Sequence, residues 1–250
     1  DFAHFLALAP WPYSDLYDSV KPFIAVRDYS RYNLIDPIIK PKKMSFKSLK
    51  NYSVSYVKIS IDLLLNGCNG PSISFKGKGI LIGIFDSGFE SIQTMPAFSH
   101  LFTDKKIKFT YDFVANNDNV YDDDDHGTMV LSCISGLLPN EFSGTAPEAD
   151  IALFRTEDVD TETKIEEFYW LLAAEKADSL GVDIINSSLG YSIFDSPAQN
   201  YSYNDMVGNK ALITRAANWA AKVGILVVTS AGNEGRSSWR YITAPADGDS

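Results

Sequence analysis

Hydrophobic and polar positions along the chain fall into two regimes. Over residues 1–45 no period is sustained: aromatic residues alternate with Pro10, Pro12, Pro22, Pro37 and Pro41, and the stretch ends at the basic run Lys40-Pro41-Lys42-Lys43. This pattern predicts an extended N-terminal arm, with residues 46–250 as the folded unit. A short helical pattern (Val57, Ile61, Leu64, Leu65) occupies residues 52–66. From Ile80 onward strands and helices alternate. Ile80–Phe85 is an unbroken apolar run rich in β-branched residues, as a strand covered on both faces requires. Lys106–Phe113, Asp150–Phe154, Val182–Asn186 and Ile225–Thr229 read as further strands. Gly127–Leu138 reads as a helix with Met129, Val130, Cys133, Ile134 and Leu137 on its apolar face. Thr163–Leu180 reads as a second, opened by a Thr163/Glu166 capping box and carrying an Ile165, Phe168, Tyr169, Leu172 stripe. Asp205–Val223 reads as a third, stopped by Gly224.

Alternation of this kind predicts an α/β fold: a mostly parallel sheet covered by helices on both faces. Ligand sites in such sheets lie at the carboxyl ends of the strands. That rule selects Asp86-Ser87-Gly88, the turn before His126, Ser187–Gly190 and Ala231–Glu234.

Composition narrows the class. The 250 residues are 45% hydrophobic, with 15 Phe, 13 Tyr and 4 Trp, so a sizeable core is affordable. Lys and Arg number 22 against 32 Asp and Glu, a net charge of −10, which excludes a nucleic-acid backbone as partner. No apolar run reaches the roughly 20 residues of a membrane-spanning helix. Two cysteines, Cys68 and Cys133, exclude a disulfide scaffold and a Cys-rich metal cluster; they form one bridge or stand as two buried thiols. The chain starts at Asp1 and stops at Ser250 in mid-pattern, as expected of a processed chain or a fragment.

Only three histidines are present, His4, His100 and His126, so a neutral-pH general base has few candidates. His126 opens a helix, where the dipole disfavours its cation, and a carboxylate must hold it. Asp86, closing a buried strand, is the natural supplier. Asn233 carries an amide able to steady an oxyanion, among glycines that let a peptide backbone approach. A phosphohydrolase-type aspartate usually needs a second acid two residues on, where this chain has Gly88. No glycine-rich nucleotide loop follows any strand.

In order, the chain reads Ile-Gly-Ile-Phe-Asp86-Ser-Gly, His126-Gly-Thr-Met-Val, Gly144-Thr-Ala-Pro-Glu-Ala, Asp183-Ile-Ile-Asn-Ser-Ser188-Leu-Gly and Val227-Val-Thr-Ser-Ala-Gly-Asn233-Glu-Gly. Over about residues 50–250 this resembles the subtilisin-like serine proteases, and among them secreted bacterial members. The resemblance implies a three-layer subtilisin-like fold with a mostly parallel, seven-strand-type sheet, C-terminally incomplete here, so that an open edge is exposed and the isolated piece is expected to be marginally stable, and it implies peptide-bond hydrolysis through an Asp-His-Ser triad. It implies Asp86 as the orienting carboxylate, His126 as general base and acid, and Asn233 as oxyanion donor. Ser188, Leu189 and Gly190 would line one wall of the primary specificity pocket, with Ala231 and Gly232 on the opposite wall. It further implies a polypeptide substrate, a secreted or periplasmic location, and no cofactor or metal for the chemistry, with structural calcium left open. Residues 1–45 resemble the tail of an inhibitory propeptide or form an arm packed on the domain.

The chain departs from the family pattern twice. No Gly-Thr-Ser-Met-Ala type motif lies between Asn233 and Ser250, so these 250 residues alone are expected to be inactive. The alternative is a pseudoprotease or peptide-binding domain that lacks the nucleophile. The stretch Glu157–Thr163, where relatives carry a glycine-rich edge that pairs with substrate, contains no glycine. Asp122–Asp125 reads as a solvated acidic loop that raises the His126 pKa and favours basic substrates.

Overall fold

The computed structural model describes residues 76–249. The arm 1–45, the helical pattern at 52–66, His4 and Cys68 lie outside them. Chain order is β1 (Leu81–Asp86), α1 (Ser99–Thr103), β2 (Ile107–Asp112), α2 (His126–Ser135), β3 (Leu137–Leu138), β4 (Phe142–Ser143), β5 (Asp150–Arg155), α3 (Lys164–Leu180), β6 (Ile184–Ser187), α4 (Leu212–Lys222) and β7 (Leu226–Thr229). Five strands form one sheet in the order β2-β5-β1-β6-β7, with β3 and β4 as a separate small hairpin. Every pair in the large sheet is parallel. The fold is therefore the α/β architecture that the alternation predicts, with five parallel strands in the described residues.

Strand side chains alternate between two cores. Ile82, Ile84, Ile151 and Leu153 point to one side, where Phe89, Leu101 and Leu131 cover them. Phe85, Ala152 and Phe154 point to the other, against Trp170, Ala173, Ala174 and Ala177 of α3 and Ile213, Ala216 and Ala217 of α4. Phe85 meets Phe154 and Trp170 edge-on at centroid distances of 5.0 and 5.2 Å. This layering brings the ends of β1, β5, β6 and β7 to one rim. The β7 edge leaves Leu226 and Val228 60% and 46% exposed.

The helices are phased differently from the sequence pattern. In α2 the buried residues are Gly127, Thr128, Leu131 and Ser135. Of the expected apolar face, Val130 and Ile134 pack against the core, but Met129 is 55% exposed and Cys133 is an exposed free thiol instead of a buried one. Leu137 leaves the helix for β3. In α3, Ile165 is 40% exposed while Glu166 and Glu167 are buried. Both acids are consumed by hydrogen bonds, and that is what a hydrophobic count cannot see. Glu166 accepts from the Thr163 amide at 2.8 Å, completing the expected capping box, and from the Asp158 amide at 3.0 Å. Glu167 accepts from the Leu212 amide at 2.9 Å, the Tyr201 hydroxyl at 2.7 Å and Lys164 at 3.0 Å. It thereby caps α4, whose own N-cap, Ala211, has no side-chain acceptor.

The third helix starts at Leu212, not at Asp205. Asp205 instead closes a short 3-10 turn by accepting from the Ser202 amide at 2.8 Å, and Gly208 at φ 78° bars a continuous helix. At the other end Gly224, φ 103°, stops it where expected.

Candidate active site

Two turns meet at the rim between β1 and α2. Asp86 ends β1, fully buried, and its Oδ1 lies 2.7 Å from Nδ1 of His126, the first residue of α2. The same oxygen accepts from the Ser87 amide at 2.9 Å. Two glycines permit this approach. A Cβ on Gly127 would stand 2.3 Å from the Gly88 carbonyl oxygen and 3.0 Å from Asp86 Cβ, and one on Gly88 would stand 2.6 Å from the Asp124 amide nitrogen. Packing between turns therefore demands glycine at both places.

The acidic run is divided among separate partners. Asp124 Oδ2 accepts from the Ser87 hydroxyl at 2.5 Å and from the His126 amide at 3.1 Å. Asp122 accepts from the Asn119 amide group at 2.5 Å. Asp123 faces Arg155 at 3.5 Å. Partial burial alone would raise the Asp124 pKa, but the bonds from Ser87 and the backbone outweigh it and hold this carboxyl below its usual range. Among the described residues no group of three or more His, Cys, Asp or Glu could hold a metal ion.

Arg155, which closes β5 beside Asp86, went unnoticed as a site residue in the sequence. Its guanidinium is buried, donating to the Ser87 carbonyl at 2.9 Å and pairing with Asp112 at 3.0 Å. It thus ties the ends of β1, β2 and β5 together. The signal available was a lone cation ending an apolar strand opposite a buried acid.

His126 is 46% exposed and its Nε2 has no partner among the described residues. The hydrogen bond that Nδ1 donates to Asp86 raises its pKa above 6.5. Burial opposes this, while the charges of Asp86, Glu157 and Asp124 add to it. The proton on Nδ1 is fixed by Asp86, so the neutral ring presents its Nε2 lone pair outward.

The remaining sequence candidates lie further along the rim, past β6 and β7. Leu189 is buried, Ser188 half-buried and Gly190 exposed; Ala231, Gly232 and Asn233 are exposed. The two stretches are joined, since Ser230 Oγ donates to the Leu189 carbonyl at 2.9 Å. Thr243 sits between them. A Cβ on Gly190 or on Gly232 would come within 2.2 or 2.6 Å of its Oγ1. Thr243 is buried with that hydroxyl unpartnered, and nothing in its sequence context signalled the position. Asn233 precedes a 3-10 turn, Glu234–Arg236, and its side-chain amide makes no hydrogen bond among the described residues.

Residues 77–248 match the Subtilase family. The chain belongs to the subtilase family. It is 30% identical over 183 residues to the minor extracellular protease Vpr of Bacillus subtilis, covering 67% of this chain and 19% of that protein. It is 30% identical over 162 residues to the major intracellular serine protease of the same organism, covering 64% of this chain and 44% of that one. A crystal structure of a lanthipeptide protease superposes with a TM-score of 0.50 at 21% identity, over 70% of this chain and 48% of the other, a likeness of fold. The chain thus spans less than half the length of each. The subtilase fold expected from the ordered motifs is the one observed. Asp86 and His126 of this subtilase are in hydrogen-bond contact, while Asn233 and the two glycine-bearing stretches line the same rim beyond them.

Proposed function

We propose that the full-length protein is a serine endopeptidase that cleaves peptide bonds through an acyl-enzyme. The observation that carries this is the 2.7 Å contact between a fully buried carboxylate and a half-exposed imidazole whose Nε2 faces outward. His126 Nε2 takes the proton of a serine hydroxyl as its oxygen attacks the scissile carbonyl, and returns that proton to the leaving amine. Asp86 holds the tautomer and stabilises the imidazolium. Asn233 donates to the oxyanion, and the backbone of Ser188–Gly190 and Ala231–Gly232 flanks the substrate. The nucleophile is a serine that residues 76–249 do not supply, and the chemistry uses no cofactor.

The likeness to an extracellular protease supports action outside the cytoplasm. Residues 1–45 are read as a propeptide remnant, which inhibition of the enzyme by a synthetic 1–45 peptide tests.

A fluorophosphonate probe applied to the full-length protein is expected to label one serine in the wild type and none in His126→Ala. Failure to label the folded wild type would favour the peptide-binding alternative.

A further inference from the structure

The rim beyond β5 carries a cluster of acidic residues. Register pairs Asp86 with Arg155, and the Thr156 amide donates to the Asp86 carbonyl at 2.9 Å. Glu157 is therefore the next side chain past the carboxylate that holds His126. Glu162, Glu166, Asp158 and Asp195 share this corner, linked by the Glu162 amide donating to Asp195 at 3.1 Å and the Asp158 amide donating to Glu166 at 3.0 Å. Glu166 is consumed by its cap, Asp195 by the Glu162 backbone, and Asp158 lies 3.9 Å from Arg155.

Glu157 and Glu162 are different. Both are half-buried, and neither side chain accepts a hydrogen bond or meets a cation at ion-pair distance among the described residues. Burial first, then Glu162, Glu166 and Asp86, push Glu157 up to about 8, against the smaller opposing effect of His126. Burial, Glu166 and Asp195 push Glu162 to about 7. Two buried hydroxyls in the same corner also lack partners. Thr156 Oγ1 precedes Glu157, and the Tyr191 hydroxyl, on a residue 1% exposed, lies in the field of Glu157, Glu166 and Glu162. Buried polar atoms and carboxyl groups without partners are costly, and they persist where something else completes them. The Asp122–Asp124 carboxylates, by contrast, already have internal partners.

We propose that Glu157, with Glu162, forms a subsite that selects a Lys or Arg side chain of the peptide substrate next to the scissile bond. The proposal rests on the protease reading for its substrate. A cationic head-group there meets two unpaired carboxyl groups in a partly dry corner beside His126; its charge favours their ionised forms, their protons pass to solvent, and the charge-assisted bond so formed discriminates most strongly.

The test scans the four residues preceding the scissile bond in peptides cleaved by the full-length protein, comparing Lys, Arg, Gln and norleucine at each position. At one position the basic residues are expected to raise kcat/KM over norleucine by about tenfold or more. Glu157→Gln should bring that ratio near one, Glu162→Gln should reduce it partly, and Glu157→Asp should restore part of it. Absence of any basic preference, or a preference unchanged in Glu157→Gln, overturns the subsite. Thermal melting checks that the variants fold. Binding of the same peptides, labelled with a fluorophore and followed by polarisation, reads the subsite without turnover. Selective binding of the basic peptide without cleavage sinks the protease reading and keeps the subsite, whereas loss of both ends both.

Discussion

At the scale of single residues, the site is an exercise in holding one imidazole. Asp86 Oδ1 fixes Nδ1, and Asp124 adds negative charge from the turn below while binding the His126 amide. Replacing Asp86 by Asn keeps the shape but permits the wrong tautomer, so kcat of the full-length protein should fall by about 10⁴-fold with KM changed little. Asp124→Asn removes a charge that raises the His126 pKa. Because the base works only when neutral, the acid limb of the pH–rate profile should move to lower pH, and an unmoved limb would refute this coupling. That Asp86, His126 and Asn233 stand along one rim was legible in the sequence because each ends, opens or caps an element there. The effect of the acidic run on His126 was legible as well, but the bond from Ser87 to Asp124 and the pairing of Arg155 with Asp112 were not, since those partners come near only after β1, β2 and β5 align.

At the scale of elements, boundaries were read well where local chemistry fixes them and poorly where long-range bonds do. The β1 and β5 runs, the Thr163 capping box and the Gly224 stop are local and appear as expected. The apolar stripes of α2 and α3 hold in part: Val130, Ile134, Phe168, Tyr169 and Leu172 pack on the cores, whereas Met129, Cys133 and Ile165 face outward and Glu166 and Glu167 are buried as caps. The two-glycine contact between the β1 turn and α2 gives a direct check. Gly127→Ala places a methyl 2.3 Å from the Gly88 carbonyl oxygen, which neither turn can relieve without parting Asp86 from His126. Thermal unfolding should show a loss of about 1–3 kcal/mol, and activity should fall beyond what that loss explains.

At the scale of the whole molecule, acid is stored in the fold. Glu157 is raised to about 8, and Glu162, Glu166 and Glu175 to about 7, in each case with burial as the leading cause. A carboxyl whose folded pKa lies above its unfolded 4.5 contributes stability fully present below pH 4.5 and lost as pH rises through the folded value. His126, also raised, acts in the same direction above 6.5. The melting temperature should therefore decline between about pH 5 and pH 8.5, and Glu157→Gln should flatten the decline. A melting temperature constant over that range would contradict the charge burial. The sequence by itself determined the parallel α/β layering, the order of the strands and helices, and the residue types at the catalytic rim, because hydrophobic period, caps and glycines act over a few residues. Tertiary structure alone decided which faces of the helices are buried, that Arg155 ties three strand ends, that Thr243 fills the gap between Gly190 and Gly232, and that Glu157 stands unpaired beside His126. Those depend on contacts between segments tens of residues apart, whose energies no local pattern carries.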